Sequence, residues 1–495
     1  MATMPQIETV VMLMLENRSL DTMLGWLYED GVPHYVFPPK SSPRFNGIRK
    51  DDFNMRGTVR IRPAHGSRYP GQGSRMPRWG PKEDMYHVQR QMYADGNGNM
   101  ADKFWGPPPM TGFAFDFPES ERYRYAEVMG AYTKAELPVL YGLAENFAVS
   151  DRWFSSVPTE TDANRAFSIC GTSHGIEDDI SLPYFHEPTI FNGLWDEAYG
   201  QQNKTWGIYW QYKGILDLDP TPIERVCFTV DKFTKLHEAV VDRKQGVVDK
   251  YENFLTALRT HQDIPQFCYL EPFWGWGVGD ADGQDFWGLQ GNDYHPPAWV
   301  GAAEHDLNEL YEALKKSRQW KNMLFIISFD EAGGTWDHER PTKVLNPDGI
   351  VGKSGFAFDR LGVRVPTILV SPWIFPGTVF RAPTANPQYD FDHTSVIKTI
   401  LEWAGTDRQF IDSMGLRVAN APMFDGALST TSYLENAPKF TVPPQYAEQS
   451  TWKGIHPSDF PLDLSRFSVA EFKAAARNTS SREELFAELE RRAGS

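Results

Sequence analysis

MLFIISFDEAGGTWDH, residues 323–338, is the stretch on which the fold turns. From Met323 to Phe329 every residue but Ser328 is apolar, as a strand buried on both faces of a sheet requires. The run stops at two adjacent acids, Asp330 and Glu331, and a glycine pair follows that lets the backbone pass close to a ligand. Working outward, the same pattern recurs at Thr9 to Leu15 before Glu16-Asn17, Phe267 to Leu270 before Glu271-Pro272, and Val365 to Val370 before Ser371-Pro372. Between and after the later strands, Val300, Ala303, Leu307, Leu310, Tyr311 and Leu314 repeat at helical steps, as do Val396, Ile397, Ile400 and Leu401 within Thr394 to Trp403. Strands alternating with helices predict an α/β fold with a central, mostly parallel sheet, whose ligands sit beyond the carboxyl ends of the strands.

Two regions depart from the alternation. From about Gly31 to Pro109 the chain is rich in Pro, Gly, Arg and Trp, which predicts a long insertion over one rim of the sheet, a cap within a catalytic domain of residues 1–430. Residues 431–495 read as an extension in which an extended linker leads to two short helices. Each opens on a capping box, Ser468 with Glu471 and Ser481 with Glu484.

Among 495 residues, 49 Lys+Arg against 65 Asp+Glu leave a net charge of −16, which argues against a nucleic-acid-coating protein. With 41% hydrophobic and 23% charged residues, wholesale disorder is excluded. No apolar run approaches the roughly 18 residues of a membrane span. The start, MATMPQIETV, lacks the features of a secretory signal, so a cytoplasmic location is expected as the chain is written, and a secreted one if an export signal has been removed. Cys170, Cys227 and Cys268 are too few and too scattered for a disulfide framework and are expected to be reduced, buried thiols.

Chemistry gathers at the strand ends. Glu16 and Asn17 pair a carboxylate with an amide oxygen, either as ligands of a hard metal or as the opening of a helix with an Asn or Ser cap. Asp330 and Glu331 would repel unless a cation lay between them, each had its own partner, or both faced water. Thr159, Thr161, Asn164 and Arg165 put hydroxyls and an arginine near a helix start, suited to a phosphate or to a capped turn. NDYHPP adds Asp293 and His295, and His338 follows the glycine pair; histidine is the natural acid or base near neutral pH.

Taken in order, ENRSLD at 16–21, TxxNR at 161–165, NDYHPP at 292–297, DEAGGTWDH at 330–338 and DHTSVIKTI at 392–400 resemble the non-specific phospholipase C and acid phosphatase-type phosphoesterases of the alkaline-phosphatase-like group. Weaker matches at 137–158 and 361–373 extend the resemblance from about Gln6 to Asp425. It implies an alkaline-phosphatase-like three-layer sandwich with a small C-terminal subdomain, a nucleophilic hydroxyl and a divalent metal ion, with Ca, Mg, Mn and Zn all open. Carried over by position, it makes Thr161 the nucleophile, Glu16, Asn17, Asp330 and Glu331 the metal ligands, and His295 and His338 the histidines around the phosphate. Asn164 and Arg165 are expected to stabilise its charge, and Asp293 and His393 are further candidates. The usual phenylalanine of the first motif is Leu20 here, and the usual Gly-Pro and Pro around the nucleophile become Thr159-Glu160 and Ala163.

The implied reaction is phospholipase C hydrolysis of phospholipid-type phosphodiesters through a phosphothreonine, with contact to a membrane surface and no nucleic-acid partner. The alternatives are a phosphomonoesterase of soluble substrates and a non-catalytic phosphate- or headgroup-binding protein; oligomeric state is left open. Trp274, Trp276, Phe286 and Trp287 offer either a cation–π cage for choline, a lipid-facing rim, or packing against the cap.

Overall fold

The computed structural model describes residues 3–66, 75–77, 80–100, 107–117, 125–179, 185–196, 201–211, 227–279, 286–289, 291–383, 389–429, 437–451, 488 and 491. Nine strands form the central sheet: β1 (Thr9–Leu15), β2 (Tyr35–Phe37), β3 (Ala148–Ser150), β4 (Trp206–Trp210), β5 (Val247–Lys250), β6 (Phe267–Glu271), β7 (Met323–Phe329), β8 (Thr367–Val370) and β9 (Thr378–Phe380). Their order is β5-β4-β6-β1-β7-β8-β3-β9-β2. Every neighbouring pair is parallel except those made by β8, which runs against both β7 and β3. The expected mixed α/β architecture is thus present, and all four strands expected from the sequence lie in the sheet.

β1 and β7 are buried at every position, as strands between two helical layers must be. Those layers are visible as two packed groups. The helix Val300–Lys316 packs on Pro138–Asn146, Tyr251–Arg259 and Pro444–Thr451, whereas Thr394–Ala404 packs on Thr161–Ile169, Ile190–Gly193 and Leu416–Asn420. β1 and β7 pair in register from Thr9↔Met323 to Leu15↔Phe329, so Glu16 and Asp330 leave the sheet side by side. The reversed strand alters one expectation. Ser371-Pro372, at the carboxyl end of β8, falls on the opposite edge from Glu16 and Asp330, and it is the residue leading into β8, Arg364, that reaches the shared edge.

Residues 31–109 contribute β2 to the sheet edge, an antiparallel pair Asn54–Arg56 with Val59–Ile61, and the helix Met85–Tyr93 capped by Asp84, whose Oδ1 accepts the His87 N–H at 3.1 Å. Val88, Met92 and Tyr93 of that helix share an apolar cluster with Ala332 and Trp336, so the helix rests on the 330–338 loop. Gly333 and Gly334 allow this approach: both have positive φ, and a Cβ would meet the Asn17 carbonyl at 2.5 Å from the first and the Lys82 carbonyl at 2.5 Å from the second. The glycine pair thus makes room for neighbouring backbone. Beyond β9, a helix at Pro444–Thr451 stands where an extended linker was expected, and the capping boxes at Ser468 and Ser481 lie outside the described residues. The three cysteines are free and buried, and burial pushes their thiols up. Among the described residues no helix is long and apolar enough to cross a membrane.

One buried carboxyl joins the helices and sets a pH dependence. Glu304 accepts the Val139 and Leu140 N–H groups at 2.6 and 3.1 Å and the Tyr294 hydroxyl at 2.7 Å. Burial pushes it from 4.5 up to about 7. The folded state therefore holds this proton more tightly than the unfolded chain. The stability so contributed, on the order of 3 kcal/mol, is fully present below the unfolded value and is lost as pH rises through about 7. Unfolding curves collected between pH 4.5 and 7.5 should fall with pH more steeply in the wild type than in Glu304→Gln. Identical slopes would contradict this assignment.

Candidate active site

The site forms where β1 and β7 end. Thr161 opens the helix Thr161–Ile169, and its Oγ1 donates to Glu16 Oε2 at 3.4 Å. The preceding loop is locked by Asn164, whose Oδ1 accepts the Val157 N–H at 3.1 Å while its amide donates to the carbonyls of Thr159, Val157 and Glu160 at 2.7, 3.2 and 3.2 Å. Asn164 therefore positions the threonine loop, and its amide is engaged there rather than turned to a phosphate. Arg165 is also engaged: Nε donates to Glu16 Oε1 at 3.0 Å and lies 3.4 Å from Asp330 Oδ2, and the guanidinium stacks 4.3 Å over the Trp274 ring. One cation thus sits between Glu16 and Asp330, and it is the protein's own. Trp274 is stacked on it. The Trp276, Phe286 and Trp287 side chains lie outside the described residues.

Asn17 adopts φ 56°, a left-handed conformation that asparagine tolerates, and this turn brings its N–H to Asp330 Oδ1 at 3.1 Å. Asp330 Oδ1 also accepts the Glu331 N–H at 2.7 Å, and Glu331 Oε2 accepts the Gly333 N–H at 2.5 Å. Asn17 Oδ1, Glu331 Oε1 and Asp330 Oδ2 are buried without a hydrogen-bond donor. Each such oxygen costs about 1–3 kcal/mol if left so. Burial pushes the carboxyls of Asp330 and Glu331 up; Arg165 partly offsets this for Asp330, whereas Glu83 and Asp330 add to it for Glu331. An all-oxygen, acidic and under-satisfied set suits a hard divalent cation in its chemistry, with Asn17, Asp330, Glu331 and the Glu16 carboxylate as its candidate ligands, although the three acids do not bring their ligand atoms within 4.8 Å of one another.

The histidines separate by what they touch. His295 Nδ1 lies 2.6 Å from the Pro296 carbonyl, which can only accept, so the neutral ring carries its hydrogen there; Nε2 is 4.0 Å from Glu83 Oε2. Asp293 holds this loop in place rather than offering itself to a ligand: its carboxylate accepts the Gly275 and His295 N–H groups at 2.5 and 3.2 Å, and its carbonyl accepts the Glu16 N–H at 2.9 Å. His393 is fully buried, and its Nε2 donates to the Asp330 carbonyl at 2.6 Å, which fixes Asp330. Burial lowers the His393 pKa.

His338 belongs to a separate network. Its Nδ1 is 2.6 Å from Asp21 Oδ2 and its Nε2 3.3 Å from Asn46 Oδ1, and none of its hydrogen bonds reaches Thr161 or the Glu331 group. Burial opposes its protonation, but Asp21 outweighs it and the pKa is raised. Ligand atoms of Asp21, Asp337 and His338 all lie within 4.8 Å of one another, the spacing of a metal site. The cation position there is filled by Arg364, which bonds Asp21 Oδ1 at 3.0 Å and Asp337 Oδ1 at 2.9 Å with both partners fully buried.

Glu83, Asn46 and Arg364 escaped the sequence reading, and Asp21 entered it only as a member of the first motif, with no role. Asp21 lies inside the first motif and Arg364 immediately before the Val-Pro that leads into β8, but nothing in either context marks an ion pair. Glu83 carried only the signal of an acid pair opening a helix. Its Oε2 accepts from Asn17 Nδ2 at 2.7 Å.

Fold and site together define a class, an α/β enzyme that handles an anionic ester at the carboxyl edge of its sheet. The comparisons with known proteins agree. Residues 7–405 match the model of the Phosphoesterase family. The chain is 33% identical over 428 residues to non-specific phospholipase C4 of Arabidopsis thaliana, covering 81% of this chain and 71% of the relative. It is 25% identical over 418 residues to phospholipase C A of Mycobacterium tuberculosis, covering 80% and 72%. A solved alkaline phosphatase superfamily protein from Vibrio parahaemolyticus overlaps 72% of this chain and 75% of its own at 12% identity and a TM-score of 0.31, a likeness too slight to bear on the site. The protein belongs to the Phosphoesterase family and is a hydrolase of phosphoric ester bonds.

Proposed function

We propose that this hydrolase cleaves phospholipid-type phosphodiesters in the phospholipase C sense, releasing diacylglycerol and the phosphorylated headgroup, with Thr161 as nucleophile. The Thr161 Oγ1 to Glu16 Oε2 contact at 3.4 Å carries the reading, because it sets a hydroxyl against a carboxylate that can take its proton. A divalent cation held by Asn17, Asp330, Glu331 and Glu16 would supply charge neutralisation at the phosphoryl oxygens and make the hydroxyl more acidic. The lipid substrate is drawn from the relatives, which are named as phospholipases C.

In the first step Thr161 Oγ1 bonds to phosphorus, its proton passes to Glu16, and protonated His295 gives a proton to the departing diacylglycerol oxygen as the P–O bond breaks. In the second, His295 takes a proton from water, the water oxygen bonds to phosphorus, the bond to Thr161 breaks, and Glu16 returns the proton to the threonine. His295 is preferred over His338 because the ring nitrogens of His338 are directed to Asp21 and Asn46.

Phosphorus NMR of the protein with phosphatidylcholine micelles and a divalent cation should show phosphocholine appearing, and a chelator should stop it. Intact lipid together with phosphate release from a soluble phosphomonoester would replace the lipid reading with the phosphomonoesterase one. If neither substrate turned over, the proposed chemistry at Thr161 would fail.

A further inference from the structure

We propose that Glu83, carried by the insertion, is a further ligand of the divalent cation, so that cation binding fastens the insertion over Thr161 and its neighbours. The inference rests on the cation reading of Asn17, Asp330 and Glu331, and it adds a residue from outside the strand ends.

Two observations support it. First, Glu83 Oε2 accepts from the amide of Asn17 at 2.7 Å, and the other end of that same amide is the unpartnered, buried Oδ1. The two ends of one amide are a single bond angle apart, so an ion on Oδ1 lies within a carboxylate's reach of Glu83. Second, Glu83 is mounted on a fixed base. The Lys82 carbonyl accepts from Gln91 Nε2 at 2.7 Å, Asp84 caps the helix Met85–Tyr93, and Asp178 Oδ1 accepts the Met85 N–H at 3.0 Å. A carboxylate so mounted transmits a pull on its head to the whole helix.

Glu83→Gln separates ligation from hydrogen bonding, because the glutamine carbonyl still accepts from Asn17 while its negative charge is gone. Cation-free wild type and Glu83→Gln would be titrated with Mn2+ by calorimetry, and amide exchange over residues 84–94 would be followed with and without Mn2+. The expected result is a Kd for Mn2+ raised about tenfold or more in the variant, with the cation-induced protection of 84–94 abolished. Circular dichroism of the cation-free variant checks that it folds. If it does not, Glu83→Asp, which keeps the charge and shortens its reach, is expected to weaken Mn2+ binding by a smaller factor. An unchanged Kd in a folded variant overturns the role of Glu83 and leaves the strand-end ligands standing. A wild type that takes up no Mn2+, Mg2+, Ca2+ or Zn2+ overturns the cation reading itself.

Discussion

Thr161→Ala is expected to lower kcat on the order of a thousandfold or more on whichever phosphoric ester the wild type turns over. The threonine makes one long hydrogen bond, to Glu16 at 3.4 Å, and it begins a helix in which alanine is the better residue, so stability should stay within about 1 kcal/mol of wild type. The separation of the two effects is the diagnostic. Thr161→Ser, which restores a hydroxyl, should recover a substantial part of the rate, and acid quenching during turnover should trap phosphate on the wild-type protein but not on Thr161→Ala. Near-normal turnover in the alanine variant would refute the nucleophile assignment.

Arg364→Leu is expected to destabilise the fold by about 3–5 kcal/mol, because it removes one partner of a fully buried ion network, taking the guanidinium from Asp337 and leaving Asp21 with His338 alone. The same guanidinium donates to the Asn46 and Asp151 carbonyls at 2.8 Å, which adds to the loss. Burial alone would raise the Asp21 carboxyl, but His338 and Arg364 outweigh it and hold it below the ordinary range. The stability from that depressed pKa is present above the unfolded value and disappears as pH falls through the folded one. The gap between wild type and Arg364→Leu should accordingly narrow in acid. Denaturant titration at neutral and acidic pH measures both; a change below about 1 kcal/mol at neutral pH would show that the network is solvated or dispensable.

The fold was legible where burial on both faces wrote itself as unbroken apolar runs, which is why β1, β6, β7 and β8 and the helices Val300–Lys316 and Thr394–Ala404 could be placed. Short edge strands such as Tyr35–Phe37 and Val247–Lys250 carry no such run, and their existence depends on a neighbour strand that the local sequence does not name. The direction of β8 was hidden for a related reason. An apolar run has no polarity, so Val365 to Val370 looked like the other strands. At the site, Glu16, Asn17, Asp330 and Glu331 follow strand ends and Thr161 opens a helix at the same edge, with Arg165 one turn further along that helix. What could not be read was the pairing among them: that Arg165 bridges Glu16 and Asp330, that Asn164 serves its own loop, and that His338 joins Asp21 and Arg364 rather than Thr161. Pairings across 145 or 343 residues are properties of the folded chain.

The reversed direction of β8 has a bearing on how such an enzyme diversifies. Because β7 leaves the sheet and β8 re-enters it at the same edge, with Ser328 opposite Thr367, the chain between them never crosses from one edge to the other. Its ends are tethered at neighbouring rungs of the ladder, and its middle, around 348–355, is largely exposed. Lengthening such a tethered segment carries a small entropic penalty, only about 0.6 kcal/mol for each doubling. It also leaves the handedness of every parallel crossover untouched. The segment can therefore be lengthened at one solvent-facing bend while the strand ends that carry Glu16 and Asp330 keep their pairing, which makes that bend the natural graft point in this fold.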